Sequence, residues 1–362
     1  MPSPPSRHLR RISAAVLRRP AGALEIETLK MENPRDDEVL VRVVASGICH
    51  TDIDVCDSGA SGPVVLGHEG AGIVEEVGKS ISTVKRGDHV VLSYQSCGIC
   101  RSCKANRPAH CQYFEHLNFG FARLDGSNAL APSGVRGHFF GQSSFATHVL
   151  ATERNLVKVA KTLPLELLAP LGCGLQTGAA TVINSLAVRK GASVLVLGTG
   201  SVGLAAVMAA RIVGAGIVIA VDRNEMRLAL GRKLGATHTI DNSKTELTAQ
   251  LRSLAVDGVD HVVENTGDPA LYRAGFDLLK PGGSMALLTG EGRAGDVDGR
   301  TILDVIQGDA VPQEFIPHLI RYYRQGRFPY DRLLTFYDFA DINRAIADEK
   351  RGTTIKAVLR MV

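Results

Sequence analysis

The chain has 362 residues, 45% of them hydrophobic, with 38 glycines and a net charge of +4. That length suits two domains with well-buried cores, and the composition fits an α/β protein with many tight turns. No apolar run reaches the roughly 18–20 residues that span a bilayer. A basic nucleic-acid face is also excluded: Arg7, Arg10, Arg11, Arg18 and Arg19 carry the excess, and residues 25–362 hold 36 bases against 37 acids.

The opening MPSPPSRHLRR has no apolar core after its charges, so residues 1–11 read as a disordered tail rather than a secretory signal. Seven cysteines without such a signal point to reduced thiols and a cytoplasmic setting. Residues 12–30 and 38–46 (EVLVRVVAS) read as alternating strands, and GAGIVEEVG followed by RGDHVVLS continues a β-rich pattern to about residue 160. The pattern changes near Leu171. Residues 175–188 suit a helix, followed by the apolar strand 193–197, a helix over 205–213, a strand over 217–221 and a helix over 225–234. Strand candidates follow at 259–264 and 284–289. Strands alternating with helices at this interval predict a parallel sheet with crossover helices. From about residue 308 the rhythm loosens, as it would if the chain returned to its first domain.

Cys97, Cys100, Cys103 and Cys111 stand in the order C-x2-C-x2-C-x7-C. A loop with this spacing can close four thiolates around one ion in a tetrahedral Zn–S4 site. Disulfides between residues this close would form small strained loops, which makes them the weaker reading. Cys56 reads as a packing residue.

Gly198-Thr199-Gly200-Ser201-Val202-Gly203 follows a buried strand and opens a helix. The glycines permit a tight turn, close backbone approach to a pyrophosphate and close helix–strand packing, and the helix start offers N–H groups to phosphates. Asp222 ends the next strand, where a carboxylate accepts ribose hydroxyls and repels a 2′-phosphate, favouring NAD over NADP. Arg223 either flanks the adenine ring or tolerates a phosphate.

Cys49 follows a strand, His68-Glu69 is flanked by glycines, and Cys173 lies in Leu171-Gly172-Cys173-Gly174. A Cys2His set with one open position suits catalytic zinc, which lowers the pKa of a bound hydroxyl. Spacing alone does not bring three distant residues together.

The stretches Gly47-Ile48-Cys49-His50-Thr51-Asp52, Gly67-His68-Glu69-Gly70-Ala71-Gly72, the four-cysteine run and Leu171–Gly174 occur here in one order. From about residue 12 to the C-terminus the chain resembles the zinc-dependent alcohol dehydrogenases of the medium-chain dehydrogenase/reductase superfamily. Residues 140–159, 172–181, 305–320 and 324–333 look most like aryl-alcohol (benzyl alcohol) dehydrogenases. The resemblance implies a GroES-like β-rich catalytic domain over 12–174 and 309–362, with a structural zinc lobe at 95–112. It implies a doubly wound Rossmann domain for NAD over 175–308. Cys49, His68 and Cys173 would ligate catalytic zinc, with Glu69 able to approach the metal. Thr51 would relay the alcohol proton, His50 would face the pyrophosphate, Thr177 the nicotinamide, and Lys356 the phosphates.

Asp54 stands where many relatives carry a relay histidine, and a carboxylate is the weaker base. Asp304 replaces a glycine usual in aryl-alcohol relatives. Tyr94, Asn118, Phe119 and Phe145 are candidate pocket walls. The implied reaction is oxidation of a primary aromatic or allylic alcohol to its aldehyde, and the reverse, by hydride transfer to NAD. Terpenoid or aliphatic alcohols are the alternative substrates. A zinc-stabilised binding protein is the other class, but it has no use for the fingerprint. The expected partners are small alcohols and aldehydes and a second or further copies in a homodimer or homotetramer, without nucleic acid or membrane.

Overall fold

A computed structural model of the chain describes residues 9–244, 247–253, 257–289 and 294–361. Residues 1–8 of the expected tail lie outside these. The rest of that tail is corrected: Arg10 and Arg11 open strand β1 (Arg10–Leu17), which pairs antiparallel with β2 (Glu25–Met31) in the register Arg10↔Met31. The Arg10 guanidinium lies 3.5 Å from both Glu75 and Glu76, so local charge composition hid a strand whose partners are distant in sequence. The single stretch expected over 12–30 is therefore two strands, parted by a turn in which Ala21 takes a left-handed φ of 53°.

The chain divides into two compact units. The first comprises residues 1–173, 311–317 and 333–362, and the second residues 174–310 and 318–332. The sequence expectation had assigned all of 309–362 to the first domain. Instead residues 318–332 group with the second, and the division runs through helix Pro312–Arg324.

The first unit begins with β1, β2, β3 (Val39–Gly47), β4 (Val64–Val65), β5 (Glu69–Val77), β6 (His89–Leu92), β7 (His148–Ala151) and β8 (Leu156–Val159). The first sheet runs β2-β1-β4. Valines 39, 41, 43, 74, 84, 90 and 149 pack with Leu92 and Leu156 into one core. Such β-branched residues fit a pleated, half-buried surface. A helix that the sequence reading did not foresee, His50–Ser58, follows β3 directly. Its apolar positions are too few for a helical stripe, and capping by Asp52 starts it instead.

The second unit is built on β9 (Ser193–Leu197), β10 (Ile217–Asp222), β11 (His238–Asp241), β12 (Val259–Glu264), β13 (Leu279–Leu287), β14 (Gly295–Val297) and β15 (Arg300–Asp304). The sheet order is β11-β10-β9-β12-β13-β15-β14, parallel except for the edge strand β14. Counted by parallel strands, this is the doubly wound order whose direction reverses between β9 and β12. Helices Ser201–Val213, Glu225–Leu234 and Pro269–Asp277 make crossovers. Asn224 and Asp268 cap two of them by accepting N–H bonds from the first turn. Leu195, Leu197, Ile219, Val221, Val262 and Met285 are fully buried between strands and helices. The chain closes with β16 (Leu334–Asp338) and β17 (Lys356–Arg360), which complete the second sheet of the first unit in the order β16-β17-β3-β5-β6-β8, with β7 also on β3.

Candidate active site

The four-cysteine lobe is a local object. The Cys97 N–H points at Cys111 Sγ (3.3 Å), the Cys100 N–H at Cys97 Sγ (3.4 Å) and the Tyr113 N–H at Cys111 Sγ (3.4 Å). All four sulfurs lie within 4.8 Å of one another, and Cys97 and Cys103 are 3.9 Å apart. A tetrahedron of Zn–S bonds sets sulfurs about 3.8 Å apart, whereas a disulfide needs about 2 Å. None of the seven cysteines is in a disulfide.

The second donor set is assembled from three segments of the first unit. Cys49 caps helix His50–Ser58, His68 sits in the turn entering β5, and Cys173 follows the short helical turn Ala169–Gly172. Asp52, which the sequence reading passed over, ties two of them together. Its Oδ2 accepts the Cys49 N–H (2.9 Å), and its Oδ1 accepts the Gly67 N–H (3.0 Å) and pairs with His68 Nδ1 (3.1 Å). With Nδ1 as donor, the Nε2 lone pair is free for a metal. That Nε2 is buried without a hydrogen-bond partner. It lies with Cys49 Sγ, Cys173 Sγ and a Glu69 oxygen in a cluster spanning less than 4.8 Å. Gln142 donates to the His68 and Ser93 carbonyls (2.9 and 3.0 Å), and Ser93 Oγ donates to the Gly172 carbonyl (2.6 Å). These bonds fasten the His68 and Cys173 segments to the residue that follows β6, and Asp52 joins Cys49 to them.

The electrostatics fit a cation. Hydrogen bonding with Cys173 holds the Cys49 thiol well below its ordinary value, burial opposes this, and His68 adds to the lowering. Burial would lower the His68 pKa, but the Asp52 and Cys49 charges outweigh it and raise it to about 10. A buried imidazole drawn to hold a second proton beside a thiolate marks a place where positive charge is favoured, and two thiols with an imidazole are a zinc donor set.

Glu69 opens β5, and Lys356 Nζ donates to it (2.7 Å) and to the Ile48 carbonyl (2.6 Å). Burial raises the Glu69 carboxyl to about 7, with Lys356 pulling the other way. The expectation for Lys356 is corrected here. Its side chain is 2% exposed and its ammonium serves Glu69 and Ile48 rather than projecting to solvent for a phosphate. Burial opposes that charge, and Glu69 restores it. Glu349, also unforeseen, accepts the Ala357 N–H (2.6 Å), and burial pushes its carboxyl up to about 8.

His50 and Thr51 start the helix after Cys49. The His50 ring is exposed and its Nε2 is 3.4 Å from Asp54 Oδ1 one turn on, while Cys49 Sγ lies 3.8 Å from Thr51 Oγ1. Asp54 is a surface residue whose carboxyl is raised, mainly by burial. Asp304 ends β15, exposed, opposite Leu287.

In the second unit, a side chain at Gly203 would collide with the Gly198 carbonyl, whereas one at Gly200 would meet nothing within 4 Å. The first position is packing; the second leaves backbone open to a ligand. Helix Ser201–Val213 has Gly200 as its cap and no side-chain cap bond, so the N–H groups of Ser201, Val202 and Gly203 begin the helix without one. Asp222 Oδ2 accepts from the Thr199 N–H (2.7 Å) and hydroxyl (2.8 Å), and Oδ1 from the Asn224 N–H (2.9 Å). The carboxylate therefore also braces the glycine turn. Arg223 beside it is exposed, and Thr177 lies half-buried in helix Gly174–Ala180. Asn265, another residue missed in sequence, donates to the Leu197 and Gly198 carbonyls (2.5 and 3.0 Å).

Two candidate pocket walls are corrected. Asn118 is fully buried and binds Gln95 N–H and the Gln95 and Phe114 carbonyls, so it braces a loop. Phe145 is core, with its N–H on the Leu66 carbonyl. Phe119 instead packs edge-on against Phe139 and Phe140, whose rings surround His68, and Tyr94 lies 5.8 Å from Phe114. Burial pushes the Cys56 thiol to about 12, as for an inert packing residue.

Residues 35–161 match the family model for the alcohol dehydrogenase GroES-like domain, and residues 201–307 that for the zinc-binding dehydrogenases. The chain belongs to the zinc-dependent alcohol dehydrogenases. It is 43% identical over 362 residues to geraniol dehydrogenase of Castellaniella defragrans, covering 96% of each chain. Among solved structures it is similar to benzyl alcohol dehydrogenase of Acinetobacter calcoaceticus (44% identity, TM-score 0.93, covering 98% of this chain and 100% of that one). It is also similar to an alcohol dehydrogenase zinc-binding domain protein of Burkholderia ambifaria (48% identity, TM-score 0.93, with the same coverage).

Proposed function

We propose that the chain interconverts a primary aromatic or allylic alcohol and its aldehyde, with NAD as hydride carrier. In this reading one zinc is held by Cys49, His68 and Cys173, and a second, structural zinc by the four-cysteine lobe. The observation that carries the reading is the buried Cys49–His68–Cys173 cluster with an unpartnered His68 Nε2. Three protein donors leave one coordination position for substrate. Zinc there supplies Lewis acidity, which makes the alcohol proton acidic near neutral pH. NAD supplies the hydride acceptor. Asp52 keeps His68 in the tautomer that presents Nε2, and Lys356 holds the Glu69 carboxylate beside the donors. Thr51 takes the alcohol proton, with the exposed His50–Asp54 pair next along the helix. Gly200, Ser201, Val202 and Gly203 receive the pyrophosphate, Asp222 the adenosine ribose, Arg223 the adenine side, and Thr177 the nicotinamide.

The similarity to benzyl alcohol dehydrogenase supports an aromatic substrate, and the 43% identity to geraniol dehydrogenase supports a terpenoid one as the second reading. Hydrophobic sites discriminate modestly between apolar shapes, so breadth is expected. We also take the protein to act as a homodimer or homotetramer in the cytoplasm, without nucleic acid or membrane. Among the described residues no helix is long and apolar enough to cross a membrane.

The test is zinc content together with NADH formation on benzyl, cinnamyl, geranyl and ethyl alcohols, compared by kcat/KM. Two zincs per chain and a preference for the first two are expected. Full zinc without NADH from any alcohol would refute the reaction, and a geraniol preference would select the terpenoid reading.

A further inference from the structure

We propose that Phe140 is a positioning residue for the metal centre: stacked on His68, it fixes the plane of the imidazole so that Nε2 stays aimed at the cation. The inference rests on the reading that Cys49, His68 and Cys173 hold zinc.

The two rings lie 4.2 Å apart between centroids and 20° from parallel. Phe139 meets His68 edge-on at 5.5 Å and 83°, and Phe119 meets Phe140 edge-on at 5.0 Å. Asp52 grips the imidazole only at Nδ1. One hydrogen bond at one corner leaves a planar ring free to rock about that bond, and a flat neighbour against its face removes the freedom. The interaction also suits a loaded site. An imidazole bound to a dication is electron-poor, and the negative face of a phenyl ring attracts it.

The backbone supplies an independent observation. Phe140 has φ 52° and ψ 33°, a left-handed conformation that bulky residues rarely adopt. His138, Gly141 and Ser143 in the same turn also have positive φ, and only one of the four is glycine. Fixed bonds hold this costly path. Asn155 Nδ2 donates to the Phe140 and Gly141 carbonyls (3.3 and 3.1 Å). Ser143 Oγ accepts the Phe139 N–H (2.9 Å) and donates to the Val65 carbonyl (2.6 Å). A turn kept in a disfavoured conformation by so many buried bonds has a reason to be there. The placement of the Phe140 ring on a metal-binding imidazole supplies it.

The experiment compares the full chain with its Phe140→Leu and Phe140→Tyr variants. Leucine keeps most of the volume and the same backbone preference but offers no flat face; tyrosine keeps the face. Three quantities are read: zinc per chain, the rate at which the second zinc passes to a colorimetric chelator, and the visible spectrum after cobalt replaces that zinc. The expected result is about fivefold faster release in the leucine variant with shifted cobalt bands, and release within about twofold of the parent in the tyrosine variant. The four-cysteine zinc and the melting temperature should change little. Release less than about threefold faster in the leucine variant, or equally fast in both variants, would overturn the proposal. Should the leucine variant not fold, Phe140→Met takes its place under the same criteria. A parent chain that holds zinc only in the four-cysteine lobe would instead overturn the reading on which the inference rests.

Discussion

The two donor clusters reach similar compactness by opposite routes. In the four-cysteine lobe, one loop between residues 97 and 111 wraps its sulfurs with its own N–H groups. In the Cys49–His68–Cys173 set, three separate segments converge because Asp52, Gln142 and Ser93 fasten them to the sheet. A local cluster is held by short-range turns such as Arg101–Lys104 and Pro108–His110, and a metal would add four more bonds to that one loop. A dispersed cluster is ordered by the fold before any metal arrives, so it can leave a coordination position open for chemistry.

The most severe way to break the comparison is His68→Ala. Zinc should fall from two per chain to one, and kcat should drop by about 10³-fold or more, with the chain still folded. Activity within tenfold of the parent at one zinc per chain would show that the dispersed set is not the catalytic one. Cys103→Ser attacks the other side. Losing the structural metal should lower the melting temperature by roughly 10 °C, read by thermal scanning with zinc analysis. An unchanged melting temperature would mean the lobe is held by more than its sulfurs.

Asp52→Asn tests the tie between segments. An amide nitrogen facing the Cys49 N–H replaces an acceptor with a donor, and zinc affinity at the dispersed set should fall about 10- to 100-fold, with the lobe untouched. Competition against a chelator measures both sites in one titration.

The smallest effect concerns acid. His138 opens the turn that carries Phe140, and its Nε2 accepts the Ala129 N–H (3.2 Å). Burial first, then the Arg123 and Arg35 charges, lower its pKa from 6.5 to about 3. The folded chain thus refuses a proton that the unfolded chain accepts. The stability this contributes is complete above pH 6.5 and is lost as pH falls toward about 3. His138→Asn, which tolerates the left-handed backbone, should lose about 2 kcal/mol less than the parent between pH 7.5 and 5. Denaturant midpoints at the two pH values decide it, and parallel behaviour of parent and variant would remove His138 from the account.

Much of the second unit was legible from short-range pattern. Buried strands β9 and β10, the glycine turn and Asp222 follow one another within a few dozen residues, and each has a local signature. Strands β14 and β15 left less trace, because β14 is a short, exposed edge strand. The helix at His50 was hidden because capping, not an apolar stripe, specifies it. Asn118 and Phe145 look like pocket residues by type, yet burial and hydrogen bonding make them braces. Lys356 looks like a solvated lysine near a terminus. Only the antiparallel pairing of β17 with β3 brings it beside Ile48 and Glu69.

By itself the sequence determined the chemistry available: four thiols at zinc spacing, a glycine turn between a strand and a helix, and scattered Cys, His and Glu residues of the right kind. Those features are properties of neighbours along the chain, where spacing is geometry. Only the tertiary structure decided that Cys49, His68 and Cys173 meet, that Asp52 and Phe140 constrain the imidazole from its edge and its face, and that Lys356 is spent on Glu69. These depend on strand register and side-chain burial, which couple residues from 16 positions apart (Asp52 and His68) to 287 apart (Glu69 and Lys356) and leave no local mark in the sequence.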